Sequence, residues 1–184
     1  AGCVTSTGGD GNAVFVGSAA DGDPLAQFEI FRPVNKYDGT LDGFEVSVQH
    51  LFDNNFGVLA NATLVGGDTD VDAAYVGEQF ALPGFGDAAN LSVFYEDEKY
   101  SARISYNLKA ETYAGMDSYN PLFVEERGQV DFSASYNVNE NSVVFIEAQN
   151  ITDEDVRLFA RHNEMLFLYQ DQGPVYKLGF RYKL

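Results

Sequence analysis

The stretch GGDTDVDAAYVGE sets Asp68, Asp70 and Asp72 at alternate positions. Carboxylates in the pattern Asp-x-Asp-x-Asp open the loops that hold calcium, because a hard cation collects oxygen ligands from alternate residues of a turning chain. The rest of such a loop is missing here. Its sixth position, where glycine makes the sharp turn, is Ala73, and its twelfth, which supplies a bidentate glutamate, is Gln79. The triplet therefore reads as a looser surface site for a structural calcium ion or, more simply, as a solvated acidic loop. DGD at Asp21 to Asp23 and DED at Asp153 to Asp155 are weaker versions of the same pattern. His50 and His162 are too few and too far apart in sequence to suggest a metal centre. No Ser-His-Asp arrangement, phosphate-binding glycine loop or Cys-His pair is present. The Asn-x-Ser/Thr matches at Asn61, Asn90 and Asn150 lie on or beside strands.

The elements that would position these residues are strands. Tyr176, Leu178, Phe180, Tyr182 and Leu184 alternate with Lys177, Gly179, Arg181 and Lys183, a period of two that separates two environments. The same alternation carries Phe44 to Val48, Val58 to Leu64, Leu91 to Tyr95, Tyr100 to Ala110, Val130 to Val138 and Val144 to Ala148. These predict seven strands, with a candidate eighth at Gln27 to Phe31. No segment predicts a helix, and ARHNEMLFLY is read as loop and strand extension. Most of the predicted strands are longer than the five or six residues usual in soluble sheets and suit a tilted crossing of a bilayer. Short turns at 52–57, 96–99 and 137–142 alternate with long connections at 66–89, 111–127 and 153–172. Antiparallel pairing puts all the short turns at one end and all the long loops at the other, as in outer-membrane barrels. Tyr100, Tyr106, Tyr136, Tyr176 and Tyr182 fall towards strand ends, where interfacial aromatic girdles would place them.

Composition agrees with strands and turns. The 184 residues include 15 Phe, 11 Tyr, 18 Gly and no Trp. With 28 acidic against 11 basic residues, the formal net charge of −17 argues against nucleic acid as a partner. No apolar run reaches the roughly 18 residues of a membrane helix, which says nothing against strands crossing a membrane. The single cysteine, Cys3, has no partner within the chain for a disulfide.

Several segments resemble TonB-dependent outer-membrane receptors. PVNKYDGTLDGFEVSVQHLF looks like a late barrel strand of that family, ALPGFGDAANLSVFYEDEKYSARISYNLKAETY like its next hairpins, EAQNITDEDVR like its "NLTDE" segment and GPVYKLGFRYKL like its closing strand. The resemblance covers about residues 30–184 in order and departs at Leu184, where the family usually ends in an aromatic residue.

The resemblance implies an all-β, antiparallel up-and-down transmembrane barrel, with seven or eight C-terminal strands here out of about twenty-two. Residues 1–26 would be an extracellular loop, residues 27–184 barrel strands and loops, and the plug domain would lie outside this chain. Cys3 would then pair with an upstream cysteine. The implied partners are outer-membrane lipid, the rest of the receptor with its plug, and TonB through the missing N-terminal part. The implied location is the outer membrane of a Gram-negative bacterium, and the implied function is TonB-energised uptake of a siderophore, sugar or similar scarce nutrient, by a transporter that is not an enzyme and has no cofactor. On this reading the long loops face outward with Tyr75, Phe80, Phe85, Tyr113, Tyr119, Phe123 and Phe159, whose flat faces could stack on substrate. The alternative for these rings is packing of loop on loop. Two other readings of the whole chain stand beside this one: a complete eight-stranded outer-membrane barrel with a structural or adhesive role, and a soluble ligand-binding β-barrel.

Overall fold

The computed structural model describes residues 3–7, 13–16, 27–30, 33 and 35–183, the first three segments as backbone only. DGD at Asp21 to Asp23 and the terminal Leu184 lie outside the described residues, as does the side chain of Cys3. Every described element is a strand. The chain divides into two units, Ala1–Asp38 and Gly39–Leu184.

The first unit holds a three-stranded antiparallel sheet of β1 (Cys3–Thr7), β2 (Ala13–Val16) and β3 (Gln27–Ile30). The candidate eighth strand thus exists as β3, but its partner is β2 and it does not join the main sheet. Two further strands stand where the sequence suggested only a loop.

The second unit contains β4 (Leu41–Leu51), β5 (Phe56–Gly67), β6 (Ala88–Glu96), β7 (Tyr100–Lys109), β8 (Thr112–Asp117), β9 (Asn120–Val124), β10 (Arg127–Asn139), β11 (Ser142–Gln149), β12 (Val156–Ala160), β13 (Leu166–Gln170) and β14 (Val175–Tyr182). Seven of them form one antiparallel sheet in the order β14-β11-β10-β7-β6-β5-β4. These are the seven strands expected from alternation, and the chain runs through them up and down.

Residues paired across antiparallel strands share a face, so the registers test whether the alternations agree with one another. They do. Ala148, Phe132, Ile104, Val93 and Val58 form a continuous row across five strands. Val130, Tyr106, Leu91, Ala60 and Val48 form another. This apolar face is open: Leu178 is 80 % exposed and Phe44 76 %. The opposite face carries the row Gln129, Asn107, Asn90, Asn61 and Ser47. Its side chains bond to one another. Ser47 Oγ donates to Asn61 Oδ1 at 2.6 Å, Asn90 Nδ2 to Asn107 Oδ1 at 2.6 Å, and Asn107 Nδ2 to Asp131 Oδ2 at 3.0 Å. Ser92 and Ser105 share a hydrogen bond of 2.8 Å, as do Ser101 and Ser135.

Two glycines on the polar face make room for rings. A Cβ on Gly57 would stand 2.2 Å from the ring of Phe94 directly opposite, and one on Gly179 would stand 2.1 Å from Phe145. Each ring reaches over the glycine opposite and receives a guanidinium, Arg103 over Phe94 at 5.3 Å and Arg181 over Phe145 at 5.9 Å.

The short turns are closed by Asp and Asn, whose side chains imitate backbone acceptors. Asp97 Oδ1 accepts from the amides of Lys99 and Tyr100, both at 2.7 Å, and Oδ2 accepts from the Tyr95 hydroxyl at 2.6 Å. These three bonds hold the Asp97 carboxyl below its ordinary range, the hydroxyl contributing most. Neighbouring turns are also tied, Asn137 Nδ2 to the Glu98 carbonyl and Asn141 Nδ2 to that of Lys183. Phe56, Tyr95, Tyr100 and Tyr136 gather at this end, with Tyr100 stacked on Tyr136 at 5.0 Å and Phe56 edge-on to Tyr95 at 5.0 Å.

Candidate functional site

The long connections are more ordered than their sequence suggests. Those expected at 111–127 and 153–172 carry two hairpins, β8–β9 and β12–β13, joined through β12 and β9 into a four-stranded sheet of order β13-β12-β9-β8. Each strand follows or precedes a strand of the main sheet, so the small sheet repeats the order β14-β11-β10-β7 beyond the bend. The third long connection, between β5 and β6, stays irregular.

Asn150 builds the bend between β11 and β12. It has a left-handed backbone (φ 56°) and is 5 % exposed. Its side-chain oxygen accepts from the Glu154 amide at 2.8 Å, and its Nδ2 donates to the carbonyls of Glu154 and Gly173 at 2.9 and 3.2 Å. Its own amide donates to Asp131 Oδ1 at 2.9 Å. Thr152 Oγ1 then accepts from the Val130 amide and donates to the Gly128 carbonyl, continuing the pairing with β10 past the kink. The NIT triplet that looks like a glycosylation signal is therefore a structural joint.

Arg161 is the second fixed point, and its side chain reaches two other segments. Nε donates to Asn120 Oδ1 at 2.7 Å, one terminal nitrogen to the carbonyls of Ala73 and Tyr75 at 2.6 and 3.0 Å, and the other to the Tyr119 carbonyl. It thereby pins the irregular connection and the tip of the β8–β9 hairpin to the end of β12. That tip needs holding. Ser118 and Tyr119 both have positive φ, 48° and 71°, in a two-residue turn where Asn-Gly is the unstrained choice.

The seven aromatic residues expected to meet substrate divide into two groups. Tyr113, Phe123 and Phe159 lie on one row across β8, β9 and β12. Phe123 stacks on Phe159 at 5.4 Å, and Tyr113 meets Phe123 at 61°. Phe159 is 2 % exposed and Tyr113 6 %, so these two serve chiefly as packing, and burial pushes the Tyr113 hydroxyl above its ordinary pKa. Tyr75, Phe80, Phe85 and Tyr119 are exposed. Tyr75 folds over Gly77, where a Cβ would stand 2.7 Å from its ring.

A cavity of about 320 Å³ brings Phe85, Tyr113 and Phe123 together with Asp70, Asp87 and Glu111, between the ends of β5 and β7 and the small sheet. Asp87 Oδ1 accepts from the Val65 amide at 2.8 Å and fixes that wall. Glu111 is held above the ordinary carboxyl range, by partial desolvation first and then by the like charges of Glu125 and Glu126. Of the aspartates suggested for calcium, only Asp70 lines this cavity. Asp68 Oδ2 accepts from the Thr40 amide at 2.9 Å, and Asp72 Oδ1 from that of Ala74 at 2.8 Å, a local turn contact. The carboxylates that do converge, within 4.8 Å of one another, are Asp153, Asp155 and Asp171, beside the bend where β12 begins and β13 ends. There the Tyr169 hydroxyl donates to Asp155, a bond that raises the pKa of Tyr169.

Sequence reasoning missed Arg161, Glu111 and Asp87, which no motif singled out, and it met Asn150 only as an Asn-x-Thr match and inside a family-like segment. No family model matches this chain, and no curated protein or solved structure matches it either.

Proposed function

We propose that the chain is the C-terminal wall of a TonB-dependent outer-membrane receptor, a transmembrane barrel that takes up a scarce nutrient such as a siderophore or a sugar. The observation that carries this reading is the division of the seven-stranded sheet into an exposed apolar face and a hydrogen-bonded polar one. A soluble sheet buries its apolar face against a second layer. Here rows of Val, Leu, Ile, Phe and Tyr are left open across the sheet, as a face turned to lipid requires. The polar face would look into the lumen, where plug and water meet it. Strands of 11, 12, 9, 10, 13, 8 and 8 residues suit tilted crossings. The aromatic cluster at the short-turn end suits the inner headgroup region, with Tyr106 and Tyr176 towards the other interface. The small sheet and the irregular connection would then form the outward, substrate-facing layer.

The outer strands β4 and β14 each have one partner among the described residues, and in this reading they pair with the remaining strands of a larger barrel. The test is fractionation of cells carrying the whole protein, followed by electrophoresis with and without boiling. Recovery in the outer membrane and faster migration before boiling are expected. A protein that stays monodisperse in detergent-free buffer and migrates identically in both lanes overturns the reading.

A further inference from the structure

Two depressions at the short-turn end of the main sheet have opposite character and share a wall. On the apolar face, Ala102 and Ala134 pair directly. Their small side chains leave a groove of about 380 Å³ beside the stacked rings of Tyr100 and Tyr136, with Ile146 and Leu178 along its length. At the turn itself, a polar depression of about 470 Å³ is lined by Asn55, Asp97, Glu98, Lys99 and, again, Tyr100. Tyr100 thus stands between an apolar groove and a charged hollow, the two spaces that the chain and the head of one amphiphile would fill.

The polar hollow offers one charge of each sign. Asp97 is already engaged by the turn, since its oxygens accept from the Tyr95 hydroxyl and from the amides of Lys99 and Tyr100. The side chains of Glu98 and Lys99 are exposed, and among the described residues neither makes an ion pair. A head with only an anionic group matches Lys99 and is repelled by Glu98. A neutral head matches neither. A zwitterionic head with an anion and an N–H cation matches both, through charge-assisted hydrogen bonds. The acyl chain that must accompany it meets the groove, whose walls are almost wholly apolar.

We propose that this end of the wall binds a phospholipid with a phosphoethanolamine head, its acyl chain over Ala102 and Ala134, its phosphate at Lys99 and its ammonium at Glu98. The inference rests on the receptor reading, in which the apolar face meets lipid, and adds that one lipid class is held there selectively. A choline head has no N–H to give Glu98, and a glycerol head carries no cation at all.

The experiment is native mass spectrometry of the full-length protein, purified in detergent, stripped of lipid and then offered equal amounts of phosphatidylethanolamine, phosphatidylcholine and phosphatidylglycerol. Retention of phosphatidylethanolamine is expected, with a preference of at least about tenfold over the other two, the size of one lost charge-assisted bond. The E98Q/K99Q double variant should lose the preference, and A134L, which fills the groove with a side chain still suited to an apolar face, should lose retention. Heat-modifiability of each variant checks that its barrel is intact. Equal retention of the three lipids, no retention, an undiminished preference in E98Q/K99Q or undiminished retention in A134L overturns the proposal. If the wild-type protein is heat-modifiable yet unselective, only the lipid site falls. If it is not heat-modifiable and stays monodisperse without detergent, the receptor reading falls and the lipid site with it.

Discussion

Single side chains decide where this sheet bends and where its loops rest. Asn150 satisfies three backbone groups from a buried position while holding a left-handed backbone. Asn150→Ala removes all three bonds and adds αL strain. It is expected to cost about 2–4 kcal/mol, since each orphaned buried group costs about 1–3 and bonds are not additive; equilibrium unfolding in detergent checks it. Asp97 has a different signature. Its folded pKa is depressed, so its contribution to stability is fully present above the unfolded carboxyl value and is lost as pH falls through the lowered folded value. The melting-temperature difference between wild type and Asp97→Asn should therefore be largest near neutral pH and shrink on acidification. A difference that stays constant down to about pH 2 would contradict that linkage. Arg161→Ala should leave the main sheet untouched and free the irregular connection, because the guanidinium holds it through the carbonyls of Ala73 and Tyr75. Limited proteolysis should then cut within residues 70–80 much faster than in wild type, with an unchanged melting temperature.

At the level of elements, the small outer sheet depends on a different kind of contact from the main one. Its buried row is short, and Phe159 sits in it fully packed against Phe123. Phe159→Ala should cost about 3–5 kcal/mol locally. Hydrogen exchange should show the loss in β8, β9, β12 and β13, with β7 and β10 protected as before. The contrast between the two sheets also explains what could be read from the sequence. All seven strands of the main sheet were legible, because a strand between two environments must alternate and these do so for many residues. The outer strands were not. TYAGMD, NPLFV, VRLFA and LFLYQ are five or six residues long, contain Gly115 and Pro121, and mix apolar residues on both faces. Such runs carry no period. The aromatic residues were identified but their division was not, because burial of Phe159 and exposure of Tyr119 depend on pairings across tens of residues. Arg161 was invisible for the same reason: three of its four acceptors are backbone carbonyls, up to 88 positions away, and a carbonyl leaves no mark in sequence.

Across the whole molecule the two faces of the main sheet make opposite demands on substitution, and the receptor reading fixes which demand belongs to which face. Ile104 and Val93 are directly paired near mid-strand on the apolar face, and Ser105 and Ser92 are paired one residue away on the polar face. If lipid covers the apolar face, Ile104→Arg should cost about 2–4 kcal/mol, the depth-dependent penalty for a cation near the bilayer midplane. Ser105→Arg changes the same strand at nearly the same depth but faces a polar interior already carrying Arg103, so its costs are steric fit and the lost bond to Ser92, and neither depends on bilayer thickness. Water on both faces predicts a different pattern. Ile104 is 50 % exposed, and an arginine on a solvated surface would cost little. The quantity that separates these cases is the difference between the two variants, measured as unfolding free energy in lipid vesicles and again in detergent. A large penalty confined to Ile104→Arg, growing as the bilayer is made thicker, is expected of a membrane wall. Equal and small effects at both positions would mean that the open apolar face meets something other than lipid.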